Sequence, residues 1–264
     1  MARTPDGPPP PPAVQKLRLR YAKRGRLRFS SHRDFQRALE RALRRSAVPM
    51  AYSAGFTPHP KVSYANAAPT GTASEAEYVE LSVVSRVDPQ ALRAALDSSL
   101  PPGLDVLEVV EAPPGALADR LEASDWEIVL PGVLPDDLQQ ALQALLAREE
   151  VTVERLMKTG VRRFDARGPI VLAEVIDPHA EPGRARSDAG RAAQALPGVC
   201  AILRAVVRHT TPAVRPDDVL TALRVVADLV PPSPSQVTRL AQGPLGAAGA
   251  VADPLAVAEH DGGA

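Results

Sequence analysis

The sequence predicts an α+β protein: tandem ferredoxin-like (split βαβ) halves with antiparallel sheets, flanked by disordered termini. Three observations predict it. Apolar and charged residues alternate strictly over KLRLRYA, residues 16–22, which is the period of a half-buried strand. The next segment, SHRDFQRALERALRRSA, switches to a helical period. A comparable strand and helix order then returns after residue 125, and strand, helix, strand, strand, helix, strand is the order of a split βαβ domain.

Each element follows from its own residues. Residues 1–13 end in GPPPPP, which favours extended polyproline II, and are expected to form a disordered Pro-rich tail. The N-terminal half spans 14–112. Its first strand sets Leu17, Leu19 and Tyr21 on one side and Lys16, Arg18 and Arg20 on the other. Ser31 followed by Asp34 makes a capping-box-like start to the first helix. Phe35, Ala38, Leu39, Ala42 and Leu43 share one arc of that helix, and Arg33, Arg37, Arg41, Arg44 and Arg45 share the opposite one. AYSAGFTPHPKVSYANA, Ala51 to Ala67, has neither period and reads as a stiff polar hook. EAEYVELSVV (75–84) alternates as a strand. Asp88 then caps, and Pro89 opens, a second helix, and LDVLEVV (104–110) closes the half as a strand.

Residues 113–124 form a Pro, Gly and Ala linker, and the C-terminal half spans 125–243. Its strands are expected at 126–131, 151–157, 200–209 and 235–243, with helices at 135–149 and 216–229. VRRFDARGPIVLAEVID, between the second and third of these strands, is partly strand, and a polar Arg, Ala and Gly insert covers 178–197. Residues 244–264, rich in Gly and Ala, are expected to be a disordered tail.

With 264 residues, 45% of them hydrophobic, the chain can bury two small cores. A single cysteine, Cys200, excludes a disulfide framework and any multi-cysteine metal or iron–sulfur site held by this chain alone, so no cofactor is expected. No apolar run approaches the roughly 18 residues of a membrane span, and MARTPDGPPPPP lacks the hydrophobic segment of a signal peptide. A soluble cytoplasmic protein with no membrane partner is expected.

The net charge of zero conceals a segregation. Residues 1–48 carry 13 Lys and Arg against 3 Asp and Glu, whereas residues 49–150 carry 5 against 16. The basic end is either a face for an anionic partner or a set of cations that pair with the acidic region across the fold. On the first reading, Lys16, Arg18 and Arg20 share an open sheet face with Tyr78, Glu80 and Ser82, where arginines neutralise phosphates and a tyrosine stacks on a base. On the second, Glu80 pairs with those cations.

Two further segments suggest an anion site. In FSSHRDFQR the free N–H groups at the start of the helix attract phosphate, with Arg28, Arg33 and Arg37 close by; the alternative is that Ser31 and Asp34 only cap the helix. In the hook, Gly55 permits a tight approach and Phe56 anchors the loop. Pro58 and Pro60 fix their own φ angles and hold His59 extended, with Lys61 and Ser63 beyond. The candidate substrate- or phosphate-binding set is therefore Ser31, His32, Arg33, Asp34, Arg37, Arg41, Gly55, His59, Lys61 and Ser63. No catalytic residue is assigned. The alternative is a metal-independent RNA-cleaving or RNA-modifying enzyme in which His32 and His59 act as general base and acid. A weaker idea gives His32, Asp34 and His59 to a metal.

RFSSHRDFQRALERALRRSAVPMAYSAGFTPHPKVSYANAAPTGTASEAEY resembles the opening of the radical-SAM-linked protein family, a bacterial domain encoded beside, or fused to, radical SAM proteins. The resemblance is carried by Phe29, Ser31, His32, Asp34, Gly55, Phe56, Pro58, His59, Pro60, Lys61, Ser63, Gly71, Glu77 and Tyr78, with Thr57 where asparagine is more usual. It is dense over residues 16–110 and looser from 125 to 242. It implies a radical SAM protein as partner and, from the family's usual gene neighbours, RNA or a ribosomal component as substrate. The chain has no CxxxCxxC motif, so radical chemistry would belong to the partner, and the expected role is an accessory substrate-binding subunit.

Overall fold

In the computed structural model, residues 10–157, 160–176 and 199–256 are described. The chain divides into two units, residues 10–119 with Leu255 and Ala256, and residues 120–254. The division falls inside the expected linker.

In the first unit the alternation of residues 16–22 becomes β1 (Gln15–Lys23). It is followed by α1 (His32–Arg45), β2 (Val62–Ala65), β3 (Ala73–Val83), α2 (Pro89–Ser99) and β4 (Leu104–Glu111). β1 lies between β3 and β4, and β2 pairs with the other edge of β3, every pair antiparallel. That order is compatible with a split βαβ domain. Leu17 and Leu19 of β1 and Val79, Leu81 and Val83 of β3 pack against Phe35, Leu39 and Leu43 of α1 and Leu92 and Leu96 of α2. The Tyr21 and Phe35 rings stack with centroids 4.0 Å apart. Burying each large apolar side chain here contributes about 1.5–3 kcal/mol, so the helical arc of apolar residues is held on this sheet face.

The opposite sheet face is not the open platform that the alternation suggests. Arg18 is fully buried, as is Tyr78, and Ser82 is nearly so. The residues after β4 cross this face: Arg18 donates through Nη2 to the Gly115 carbonyl and through Nε to Glu80 at 2.9 Å, and Leu117 is buried. The expected linker is in part a strap. Its physical cause is the fully desolvated guanidinium, which needs acceptors that water cannot supply.

In the second unit the elements are β5 (Ala123–Pro131), α3 (Pro135–Leu146), β6 (Thr152–Met157), β7 (Gly160–Asp165), β8 (Ile170–Ile176), β9 (Cys200–Arg208), α4 (Pro216–Ala227) and β10 (Gln236–Gly243). Strands β10, β5, β9 and β8 pair in that order, all antiparallel. Trp126, Ile128 and Leu130 pack with Leu138, Leu142 and Leu145 of α3 and Leu223 of α4.

Residues 151–157, expected to be a strand of the main sheet, instead form a separate hairpin with β7. β8 takes the place beside β9. The reason lies in composition: Ile170–Ile176 is almost continuously apolar, whereas Val153 is the buried residue of β6 and Leu156 stands 80% exposed. Asp165 fixes the hairpin exit by accepting from the N–H groups of Val151, Arg167 and Gly168 at 2.8–2.9 Å.

Residues 244–256, expected to belong to a disordered tail, are ordered: Leu245 and Val251 form a β-bridge, Ala247–Gly249 make a 3₁₀ turn, and Leu255 is buried. The remaining expected tail segments, 1–9 and 257–264, and the 178–197 insert lie outside the described residues. No helix among the described residues is long and apolar enough to cross a membrane.

Candidate functional site

The structure separates two groups among the cations of residues 1–48. Four on and just after β1 find carboxylates from the acidic region: Lys16 with Glu80 at 3.3 Å, Arg18 with Glu80, Arg20 with Glu108 at 3.5 Å, and Arg24 with Glu75 and with Asp105, the last at 2.9 Å. For this class, pairing across the fold is correct. Those on α1 behave differently. Arg33, Arg37 and Arg41 are exposed, and among the described residues they form no ion pair. A rise of about 1.5 Å per residue sets them roughly 6 Å apart along one stripe of the helix, a spacing comparable to that of successive phosphates in a polynucleotide strand.

The start of α1 is occupied by its own cap. Ser31 Oγ accepts from the Asp34 N–H at 3.2 Å, and the Asp34 carboxylate accepts from the Ser31 N–H at 3.1 Å and from the Ser31 hydroxyl at 2.7 Å. These hydrogen bonds hold the Asp34 carboxyl below its usual range. Ser31 and Asp34 therefore act on the helix, and a carboxylate already sits where a phosphate was expected. The His32 ring is exposed, lies edge-on to Tyr64 with centroids 4.8 Å apart, and has Nε2 3.0 Å from Gln36 Nε2.

The hook is a stiff narrow loop. The Ser53 N–H donates to the His59 carbonyl at 2.8 Å, the His59 N–H donates to Ser53 Oγ at 3.1 Å, and the Lys61 N–H donates to the Ala51 carbonyl at 2.7 Å. β3 holds its base, since the Ala51 N–H donates to the Ser82 carbonyl at 2.8 Å and the Ser82 N–H to the Lys61 carbonyl at 3.0 Å. Gly55 has φ +135° and nothing within 4 Å of where a Cβ would stand. Its glycine is needed for backbone conformation and not for a tight approach. Phe56 is 69% exposed, so it does not anchor the loop among the described residues.

Between the hook and the second half of α1 lies a cleft of about 260 Å³. Glu40 and Arg44 of α1 form one wall, Tyr52, Pro58, His59 and Pro60 the other, and Leu43, Val48 and Met50 the floor. Arg44 Nε donates to the Glu40 carbonyl at 3.3 Å. The Glu40 carboxylate has no hydrogen-bond or ion-pair partner among the described residues. Burial first, and the charge of Glu40 second, push the Tyr64 phenol up to about 12.

Of the residues singled out by sequence, His59 lines this cleft, and Arg33, Arg37 and Arg41 lie on the helix that forms its wall. His32 and Lys61 are exposed outside it. Ser63 faces the other way, into a second cleft of about 450 Å³ with Lys16, Glu80 and Gly115–Ala118, because successive residues of β2 alternate across the sheet. Sequence reasoning missed Glu40 and Tyr52; Glu40 was legible as the one acid, besides the capping Asp34, on the arginine arc, while Tyr52 carried no signal. Among the described residues no group of three or more His, Cys, Asp and Glu side chains converges as a metal site.

No curated protein matches this chain. The model of a bacterial family, described as uncharacterized protein conserved in bacteria (DUF2344), matches residues 16–216. That span takes in α1, the hook and the cleft, and covers about three quarters of the sequence. The chain is a member of this bacterial family, DUF2344.

Proposed function

We propose that the chain is an accessory binding protein that holds RNA, or an RNA-bearing ribosomal substrate, for a separate radical SAM enzyme. The observation that carries the RNA reading is the stripe of exposed guanidinium groups at Arg33, Arg37 and Arg41, which form no ion pair within 4 Å among the described residues and lie on the helix that walls the cleft containing His59. Arginines that hold no direct ion pair bind phosphates without first breaking one, and a stripe of them follows a strand backbone. The partnership rests on the resemblance of the His32 and His59 segments to the radical-SAM-linked family. It is supported by cysteine usage: one thiol, Cys200, which is buried, leaves the three-cysteine cluster of such an enzyme to another chain.

The test is fluorescence anisotropy of a labelled single-stranded RNA with the purified protein across a salt series, alongside co-purification from the source cell with identification of bound proteins. Log affinity should fall linearly with log salt, by about 0.7 per phosphate engaged, and a radical SAM protein should co-purify. Binding that is absent or indifferent to salt removes the RNA role. Failure of any radical SAM protein to co-purify removes the partnership. Cleavage of the bound RNA, abolished in His59→Ala with binding intact, would move the assignment to the enzymatic alternative.

A further inference from the structure

Resting on the RNA reading above, we infer that the cleft under the hook receives one unstacked guanine of a single-stranded RNA, with its Watson–Crick edge on Glu40. At about 260 Å³ the cleft falls below the roughly 300–1,000 Å³ of pockets that enclose a drug-sized ligand; it has room for one heterocycle. Its chemistry selects the heterocycle. Tyr52 and His59 supply flat unsaturated faces, Leu43 and Met50 an apolar floor, and such surfaces hold bases that have left a stack.

Glu40 sets the edge. Its side chain is half-buried and its carboxylate has no partner among the described residues, so the group that enters must donate hydrogen bonds. Guanine alone among the RNA bases presents two adjacent N–H donors, N1–H and the N2 amino group, in register with the two oxygens of a carboxylate. Cytosine and adenine offer an amino group next to an acceptor, and uracil offers a single imino N–H flanked by two carbonyls that a carboxylate repels. Arg33, Arg37 and Arg41 lie along the same helix as Glu40 and face solvent, so a strand whose phosphates follow them reaches the cleft by splaying one base. A duplex cannot do this without losing a pair.

The experiment uses the full chain and labelled octaribonucleotides: uridine only, and the same oligomer with a single central guanosine, cytidine or adenosine. The guanosine oligomer should bind about tenfold more tightly than oligouridine, which is the discrimination of one good bidentate base contact. Glu40→Ala, a substitution that favours the helix, should abolish the preference. It should also leave oligouridine binding unchanged or slightly tighter, because it removes a negative charge from beside the phosphate track. Equal affinity for all four oligomers, or a guanosine preference that survives Glu40→Ala, overturns the guanine site while leaving the RNA role standing. No binding of any oligomer overturns both.

Discussion

The division of the basic segment into structural and binding cations is tested by removing one member of each class. Arg18 is fully buried and donates to Glu80 and to the Gly115 carbonyl, while its Nη1 has no hydrogen-bond partner among the described residues. In Arg18→Met two charge-assisted hydrogen bonds disappear, a loss of about 3–6 kcal/mol at 1.5–3 kcal/mol each. Against that, one unpartnered buried N–H is relieved, recovering about 1–3 kcal/mol, and Glu80 keeps Lys16 at 3.3 Å. The net destabilisation is therefore about 0–5 kcal/mol with a midpoint of about 2.5 kcal/mol, which at that midpoint lowers Tm by roughly 5–10 °C for a protein of this size. The triple variant Arg33→Ala, Arg37→Ala, Arg41→Ala should do the opposite. Its exposed positions each change stability by no more than about 0.5 kcal/mol, while its log–log salt slope for single-stranded RNA becomes shallower by about 2. Urea unfolding measures the first quantity, and anisotropy on folded protein below its transition measures the second. If Arg18→Met spares stability but weakens RNA binding, or the triple variant binds as the wild type does, the assignment of roles is refuted.

Further perturbations follow from single residues. Gly55→Ala meets no neighbour, but its φ of +135° is closed to alanine, so the hook should rearrange at a cost of about 1–3 kcal/mol. Guanosine preference should fall while the arginine-dependent salt slope stays, as read by the same anisotropy series. His209 lies between Ser124 Oγ at 2.8 Å and the Leu121 carbonyl at 2.7 Å, and burial pulls its pKa below the ordinary 6.5. A base whose folded pKa is depressed binds fewer protons in the native state than when unfolded. The unfolded chain therefore gains protons first, and the contribution of His209 to stability is whole above pH 6.5 and declines as pH falls from 6.5 toward the folded pKa. Urea midpoints measured across that range should decline for the wild type and flatten in His209→Gln.

Much of the first unit was legible because its signals are local. The alternation of residues 16–22 and the arc of Phe35, Leu39 and Leu43 each depend on one element's period, and both are found where the pattern places them. The cap at Ser31 and Asp34 was legible for the same reason, though its meaning was not: the residue pair that marks a helix start also fills the anion site that the start would offer. What alternation cannot say is whether a face is covered. The strap at Gly115 and Leu117 looks like any Pro, Gly and Ala linker, and its burial of Arg18 is a tertiary event. The displacement of β6 into a hairpin is likewise a competition between two strand-forming segments, decided by which has more apolar surface to bury.

The same distinction explains why charge segregation was ambiguous and how it resolves. A count over residues 1–48 sums two populations with different surroundings. Cations on a central strand lie within reach of strands on both sides, here β3 and β4 with Glu75, Glu80, Asp105 and Glu108. Cations on the outer stripe of a helix have as neighbours chiefly residues one turn away, and at the relevant turns of α1 those include other arginines, the capping Asp34 beside Arg37, and Glu40. Glu40 forms no ion pair with them among the described residues but stands in the cleft wall. An acid beside a phosphate track weakens its attraction for an anion, and the guanine contact proposed for the cleft offsets that loss. On the guanine proposal above, the ligand brings hydrogen-bond donors to Glu40 and negative charge to the arginines of the same helix.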